Sequence, residues 1–149
     1  GDLFARVHAI WEGLAPGGWT EERFFALDGE VLSRLFLVGV ERAPARYRYR
    51  FVGTELCDLH GQDYAGVYLH EMRLGEVGDA VAAAFDRVVA ERAPMLLRGA
   101  FVTPQGTVVA ERLLLPLPGD GRDCDAILGA LAHHPPAGPG APGRRAQDG

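Results

Sequence analysis

Apolar residues recur at helical spacing at the start of the chain. Leu3, Val7, Ile10 and Leu14 are separated by four, three and four positions, which places them on one face of a helix. A Pro-Gly-Gly segment at 16–18 ends the predicted helix. Because so short a helix is not stable alone, its apolar face must pack either on its own domain or along a dimer interface.

An alternating pattern then predicts two antiparallel strands. The segment 35–41 is apolar, and 47–52 alternates large apolar side chains with arginines. Successive side chains of a strand point to opposite faces, so we expect Tyr49 and Phe51 on the same buried face. The stretch before them, 19–35, is mixed and predicts only a helical turn or two.

Helical patterns occupy the middle of the chain. A short helix is predicted over 54–61 and a second short element over 63–72. The strongest helical pattern is 77–92, which is rich in alanine and carries one apolar stripe. Asp79 is its expected N-cap, and Pro94 terminates it.

Three apolar, partly β-branched runs follow at 95–103, 107–117 and 126–132, separated by glycine-containing turns. They predict a three-stranded meander. The pattern does not decide which side chains of the middle strand face the core. Both faces of this strand are covered if the first helix lies on the outer side of the sheet. The two alternatives group Val109, Glu111, Leu113 and Leu115, or Val108, Ala110, Arg112 and Leu114.

Length and composition indicate one globular domain with flanking segments. The chain has 149 residues, of which 48% are hydrophobic, enough to form a core without disulfides. We divide it into an N-terminal helical segment over 1–18, a domain over 19–134 and a Pro/Gly-rich tail over 135–149, whose composition cannot repay the entropy of ordering.

Charge and cysteine content limit the kinds of partner, chemistry and cellular location that we expect. The net charge is −5, which repels a phosphate backbone, so nucleic acid is not expected as a partner. All 15 basic residues are arginines, which excludes lysine chemistry. Cys57 and Cys124 are too few for a disulfide framework, and no run is long and apolar enough to span a bilayer. We therefore expect a cytoplasmic protein without a membrane segment.

Catalytic and metal-binding patterns are weak. The histidines lack zinc-ligand spacing, and Ser33 is not part of a nucleophile elbow. One enzyme hypothesis remains as the alternative: a small α+β, isomerase-like cone that hides an acid/base pair, formed by His60 with Asp63 or Glu111.

Three motifs resemble a bacterial family of small stand-alone PAS proteins. They are Tyr-Arg-Phe-Val-Gly-Thr at 49–54, Gly-Gln-Asp-Tyr-Ala-Gly at 61–66 and Leu-Leu-Leu-Pro-Leu at 113–117. The resemblance spans about residues 30 to 132 and implies an α+β fold, with a five-stranded antiparallel sheet packed on short helices and one longer helix. Gly61 would then end the first short helix at positive φ, and Gly66 would let two short helices pack closely.

The resemblance implies a sensory or regulatory module that is not an enzyme. It would bind a small apolar ligand or a signalling protein and act through association, as a homodimer. The expected ligand-binding residues are Tyr49, Phe51, Leu56, Leu59, Tyr64, Leu69, Phe85, Val88, Phe101 and Leu115. The expected dimer interface consists of Leu3, Phe4, Val7, Ile10, Trp11 and Leu14 together with the outer sheet.

The resemblance does not identify a cofactor for this protein. A haem-binding PAS domain usually carries its axial histidine on the long helix, and 77–92 has no histidine, which leaves His60 and His70 as the candidates. A flavin photosensor would need a reactive cysteine among the short helices. Cys57 lies there, but its neighbours do not resemble a flavin-binding signature.

Overall fold

The structure, a computed structural model, describes residues 2–14, 19–42, 44–104, 106–118 and 123–134. The predicted tail and the turn at the end of the first predicted helix lie outside these ranges. Among the described residues, no helix combines the length and apolar composition that crossing a bilayer requires.

A five-stranded antiparallel sheet forms the centre of the fold, as predicted. Its strand order is β2-β1-β5-β4-β3, so the first two and the last three strands of the chain meet between β1 and β5. The strands are β1 Leu35–Glu41, β2 Arg46–Val52, β3 Met95–Thr103, β4 Gly106–Leu117 and β5 Ala126–His134.

Helices cover both faces of this sheet. They are α1 Asp2–Leu14, α2 Glu21–Phe25, α3 Gly29–Leu32, α4 Thr54–His60 and α5 Glu76–Glu91, with a 3-10 turn at Leu69–Met72. The long helix begins three residues before the predicted N-cap Asp79, and Gly75 occupies the cap position instead.

The two glycines of the short-helix region differ in role. Gly61 ends α4 in the left-handed region at φ 81°, as predicted. Gly66 has φ 89° but open space around the position of a Cβ, so the turn conformation requires it and close packing does not. The predicted element over 63–72 is therefore mainly a turn.

The core consists of two apolar clusters, one on each side of the sheet. The inner cluster lies against α4 and α5, and the outer cluster against α1, α2 and α3. The buried members of the inner cluster are Phe36, Val38, Tyr47, Tyr49, Val52, Leu56, Tyr64, Leu69, Val81, Ala84, Phe85, Val88, Val108, Ala110, Leu114, Cys124, Ile127 and Leu131. Those of the outer cluster are Val7, Leu14, Phe24, Val31, Leu35, Leu37, Leu115, Leu117, Ala126, Leu128 and Ala130.

This double coverage settles the open question about β4. Val108, Ala110 and Leu114 belong to the inner cluster, whereas Leu115 and Leu117 belong to the outer one. Three consecutive leucines are compatible with the strand because both of its faces are buried.

A β-bulge corrects the expected orientation of Phe51. Leu37 pairs with Phe51 while the next residue, Val38, pairs with Tyr49, so Arg50 is an extra residue in β2. A bulge of this kind shifts the alternation of side chains by one position. Phe51 consequently faces the outer cluster, where its ring lies 5.5 Å from that of Phe24 in an edge-to-face arrangement.

Helix α1 packs on the sheet of its own chain. Val7 is fully buried, and the indole nitrogen of Trp11 donates a hydrogen bond to the carbonyl of Pro116 on β4 at 2.7 Å. Arg23 of α2 donates to the carbonyl of Gly13 at 2.8 Å, which satisfies the C-terminal end of the helix. All six residues expected at a dimer interface lie in or against the outer cluster, so their role in a dimer remains a prediction.

Candidate functional site

Arg112 is a buried charged residue in the middle of the inner sheet face. It lies on β4 between Ala110 and Leu114, both fully buried, and is itself 8% exposed. Among the described residues it is the one buried polar or charged residue. A charge in such a position is costly to bury, which marks Arg112 as a candidate functional residue.

Aromatic rings from three segments lie close to Arg112. Tyr49 comes from β2, Tyr64 from the turn after α4 and His60 from the end of α4. The ring of Tyr64 lies edge-to-face with that of Tyr49 at 4.9 Å and with that of His60 at 5.0 Å. We call Arg112, Tyr49, Tyr64 and His60 the Arg112 cluster.

Burial controls the charge state of this cluster. Desolvation raises the pKa of Tyr49 to about 12 and raises that of Tyr64 further, although the nearby Arg112 opposes both shifts. Burial, Arg112 and His133 together lower the pKa of His60 to about 4. At neutral pH the two hydroxyls and the imidazole are therefore uncharged, and the cluster carries the single positive charge of Arg112.

A cavity borders Arg112, the one member of the Arg112 cluster that lines it. It has a volume of about 170 Å³ and lies between the first turns of α5 and the strands β3 and β4. Its lining is mainly apolar, with Arg112, Arg98 and Glu76 as the charged members; the apolar members are Val77, Ala80, Val81, Leu97, Gly99 and Ala100. An apolar cleft with a few polar groups is the usual form of a small-molecule site.

The structure divides the predicted ligand-binding residues. Seven of them lie in or against the inner cluster: Tyr49, Leu56, Leu59, Tyr64, Leu69, Phe85 and Val88. None of these seven lines the cavity beside Arg112, and Phe51 and Leu115 lie on the other side of the sheet, where they face the outer cluster. Phe101 pairs with Val108, but its side chain lies outside the described residues.

Sequence reasoning did not select Arg112 as a site residue. The available signal was an arginine among small and apolar residues in a strand, and it became decisive only when the buried face of β4 was known. The cavity itself depends on contacts between α5 and β3, which no local pattern specifies.

Two further clefts lie on the surface. One, of about 340 Å³, lies between β2, the segment after the 3-10 turn and α5, where Tyr47 donates a short hydrogen bond to Asp86. The other, of about 350 Å³, lies along β1 and β2 beside Glu41 and Arg48. The Glu41 carboxylate in this cleft accepts a hydrogen bond from the Tyr68 hydroxyl at 2.9 Å and pairs with Arg46, so its charge is already compensated.

Neither carboxylate of the predicted acid/base pair is buried. Asp63 is exposed and accepts the backbone N–H of Ala65 at 2.9 Å, as in a turn. Glu111 lies on the face of β4 opposite to the Arg112 cluster, which contains His60. The described residues also contain no group of three or more His, Cys, Asp or Glu side chains that could hold a metal ion.

The cavity beside Arg112 does not fit a haem or a flavin. The cavity beside Arg112 has a volume of about 170 Å³, whereas sites for larger organic ligands usually measure about 300–1,000 Å³. The pKa of the Cys57 thiol is raised, mainly by burial and then by Asp63, so it stays protonated. His70 is exposed and lies against Tyr68, with ring centroids 5.4 Å apart.

Comparison with known proteins gives a consistent picture. A family model described as PAS domain matches residues 28–132. The PAS domain of Bordetella pertussis BvgS is 15% identical, with a TM-score of 0.60 over 87% of this chain and 96% of that one. The Rhodobacter sphaeroides LOV protein is 13% identical, with a TM-score of 0.54 over 74% of this chain and 61% of that one.

A third structure, an RNA-binding Light-Oxygen-Voltage receptor, is 15% identical with a TM-score of 0.51. The chain covers only 34% of its length. Among curated proteins, no match to the chain is found. Structural similarity at such low identity establishes the fold and leaves the activity to be argued from the site.

Proposed function

This chain belongs to the PAS domain family, and from that premise we propose that it is a sensory or regulatory module without catalytic activity. It binds a small ligand on the inner face of the sheet and transmits the signal by association, either with a second copy of itself or with a signalling protein. We expect it in the cytoplasm, where its two free cysteines stay reduced.

The observation that carries the ligand-binding part is the buried Arg112 beside a cavity. A buried cation is costly, and replacing such groups by apolar residues is often neutral or stabilising. The place of Arg112 at the border of a 170 Å³ cavity, as the one buried charged side chain of the described residues, supports a role in ligand recognition. An enzyme is less well supported, because it would need a carboxylate hidden beside His60, whereas Asp63 is exposed and Glu111 faces away from the Arg112 cluster.

The outer sheet face supports the association part. Leu96 on β3 is 53% exposed and Val109 on β4 is 37% exposed. The partner of Leu96 in the sheet, Leu113, packs against the outer cluster, so Leu96 lies beside the surface that α1 covers. Exposed apolar surface of this kind is characteristic of interaction sites. A nucleic-acid partner is not favoured, since the net charge is −5.

Native mass spectrometry tests ligand binding. The full chain, purified without denaturation, should carry a small molecule whose mass is lost on unfolding. A protein that consistently shows only its own mass, and gains none from a metabolite extract, would contradict the ligand-binding part of the proposal.

Light scattering tests association without removing α1, whose deletion would uncover the outer cluster. Leu96→Asp should lower the dimer fraction by weakening an apolar contact. Leu74→Asp is the matched control, since Leu74 is also an exposed leucine, at 38%, but lies before α5, away from this face. An equal effect of both variants, or of neither, would contradict association through the outer face.

A further inference from the structure

The ligand class follows from the chemistry around Arg112. The Arg112 guanidinium is planar, permanently charged and suited to two parallel hydrogen bonds with a carboxylate. Tyr49 and Tyr64, which lie within electrostatic range, stay neutral, as their raised pKa values require. Arg112 is the one member of the Arg112 cluster that lines the cavity, so it supplies a positive charge there, and the uncharged tyrosines place no negative charge beside it.

The cavity limits the size of the ligand. Its volume of about 170 Å³ equals that of roughly six molecules of liquid water at about 30 Å³ each, which corresponds to a ligand of only a few non-hydrogen atoms. Val77, Val81 and Leu97 supply an apolar lining next to Arg112. A short hydrocarbon chain with an acidic end matches this combination.

The charges at the cavity rim favour one negative charge on the ligand. The cavity lies against Glu76 and Val77, the first two residues of α5, where the positive end of a 16-residue helix attracts anions. Glu76 also lines the cavity and repels a second carboxylate. Arg98 does not offset it, because Arg98 pairs with Glu111 in the sheet and its side chain takes the face opposite to Arg112. A monocarboxylate thus suits the cavity better than a dicarboxylate.

We propose that the cavity between α5 and β3–β4 binds a short-chain monocarboxylate, with the Arg112 guanidinium as the group that recognises its carboxylate. This inference rests on the proposed ligand-sensing function and names the chemical class of the ligand.

Gly99 offers a way to close the cavity without disturbing the fold. It lines the cavity on β3, opposite Ala110, and a Cβ at this position would meet nothing within 4 Å. Valine also suits a strand better than glycine does. Gly99→Val should therefore fill part of the cavity and leave the sheet intact, whereas Thr107→Val adds a valine at an exposed position of the neighbouring strand β4 and serves as the control.

Amide chemical shifts of the isotope-labelled full chain provide the measurement. Acetate, butyrate and hexanoate would be titrated near neutral pH up to about 10 mM, which is ten times the Kd of a weak millimolar complex. Butyramide and butylamine serve as neutral and cationic analogues of similar size. We expect saturable shifts from butyrate at the start of α5 and at Gly99, and at least about tenfold weaker binding of the amide, because it forms no ion pair.

Substitutions test whether Arg112 is the residue that binds the carboxylate. Arg112→Met removes the charge at similar length and should abolish butyrate binding, and Arg112→Lys, which loses the bidentate geometry, should weaken it. Gly99→Val should weaken every carboxylate, and Thr107→Val none. If Arg112→Met does not fold, the lysine and Gly99 variants decide the question alone.

The outcomes separate this inference from the proposed function. The carboxylate assignment is overturned if butyrate and butyramide bind equally well. It is also overturned if butyrate binding is unchanged in Arg112→Met, or unchanged in both Arg112→Lys and Gly99→Val. The protein would still be a ligand-binding module in these cases. Failure of all three carboxylates overturns it too, and native mass spectrometry then shows whether another ligand is bound. No carboxylate binding together with a ligand-free mass contradicts both proposals.

Discussion

The two faces of the sheet have different chemistry although one strand, β4, contributes to both. On the outer face Leu115, Leu117 and their neighbours are apolar and fully buried under α1. On the inner face the same strand carries Arg112 among tyrosines, beside a cavity. The outer face is built for stability, whereas the inner face accepts a buried charge and incomplete packing, which is characteristic of a binding site.

The largest expected effect lies on the outer face. Leu115→Ala should lower the free energy of unfolding by about 2–5 kcal/mol, because a fully buried leucine leaves a cavity when it is truncated. Urea unfolding followed by circular dichroism measures the change. Ligand binding by the folded fraction should be unaffected. A loss below that range would show that the outer face is not the tightly packed one.

Two glycines show that packing density differs between parts of the inner face. Gly129 on β5 lies beneath the ring of Phe36, and a Cβ there would come within 2.0 Å of a ring atom. Gly129→Ala should therefore cost about 1–3 kcal/mol, as overpacking does, in contrast to Gly99, which has open space. Thermal unfolding measures it.

Gly39→Ala provides the control for this variant. Its Cβ would meet the flexible side chain of Arg50 at 2.9 Å, which can move aside, so we expect a smaller loss of stability. Equal losses at Gly39 and Gly129 would contradict the tight packing assigned to the region around Phe36.

The elements of the fold could be predicted because their signals are local. Helical spacing gives α1 and α5, and β-branched runs between turns give the strands to within one or two residues of their bounds. The orientation of Phe51 could not be predicted in this way, since the bulge at Arg50 depends on pairing with β1. Local alternation carries no information about a partner strand.

The candidate site was predicted less completely than the fold. None of the nine predicted ligand-binding residues with described side chains lines the cavity beside Arg112. Seven of them belong to the inner cluster, because large hydrophobic side chains in strands and helices usually face the core. Arg112 was not predicted, since a strand buried on both faces gives no alternation that tells which side a residue takes. A charged residue that interrupts an apolar strand is therefore difficult to assign to a site from the sequence.

The pH dependence of stability is a smaller effect and is specific to the inner face. The pKa of His60 is lowered to about 4, below its ordinary value near 6.5, so between these values the unfolded chain binds more protons than the folded one. Stability should then fall as the pH drops from about 6.5 to about 4. Because His60 is partly exposed, we expect about 1 kcal/mol after solvent screening.

Urea midpoints of wild type and His60→Gln across this pH window isolate the histidine from the carboxylates that titrate nearby. The difference between the two proteins should change with pH in the stated direction and level off above about 7, where histidine is neutral in both states. A difference that stays constant across the window would show that His60 titrates alike in the folded and unfolded chain.

The smallest effect on stability is expected at Arg112 itself. Arg112→Met keeps the length of the side chain and removes the cost of burying a charge, while the Tyr49 and Tyr64 hydroxyls lose a charged neighbour. These changes oppose each other, so the free energy of unfolding should shift by less than about 1.5 kcal/mol, and a gain is compatible with this argument. Denaturant unfolding of Arg112→Met and Leu115→Ala, measured side by side, compares two positions that lie three residues apart on the same strand. A loss as large as that of the leucine variant would mean that Arg112 holds the fold together, and the contrast between the two faces would then no longer point to a binding role.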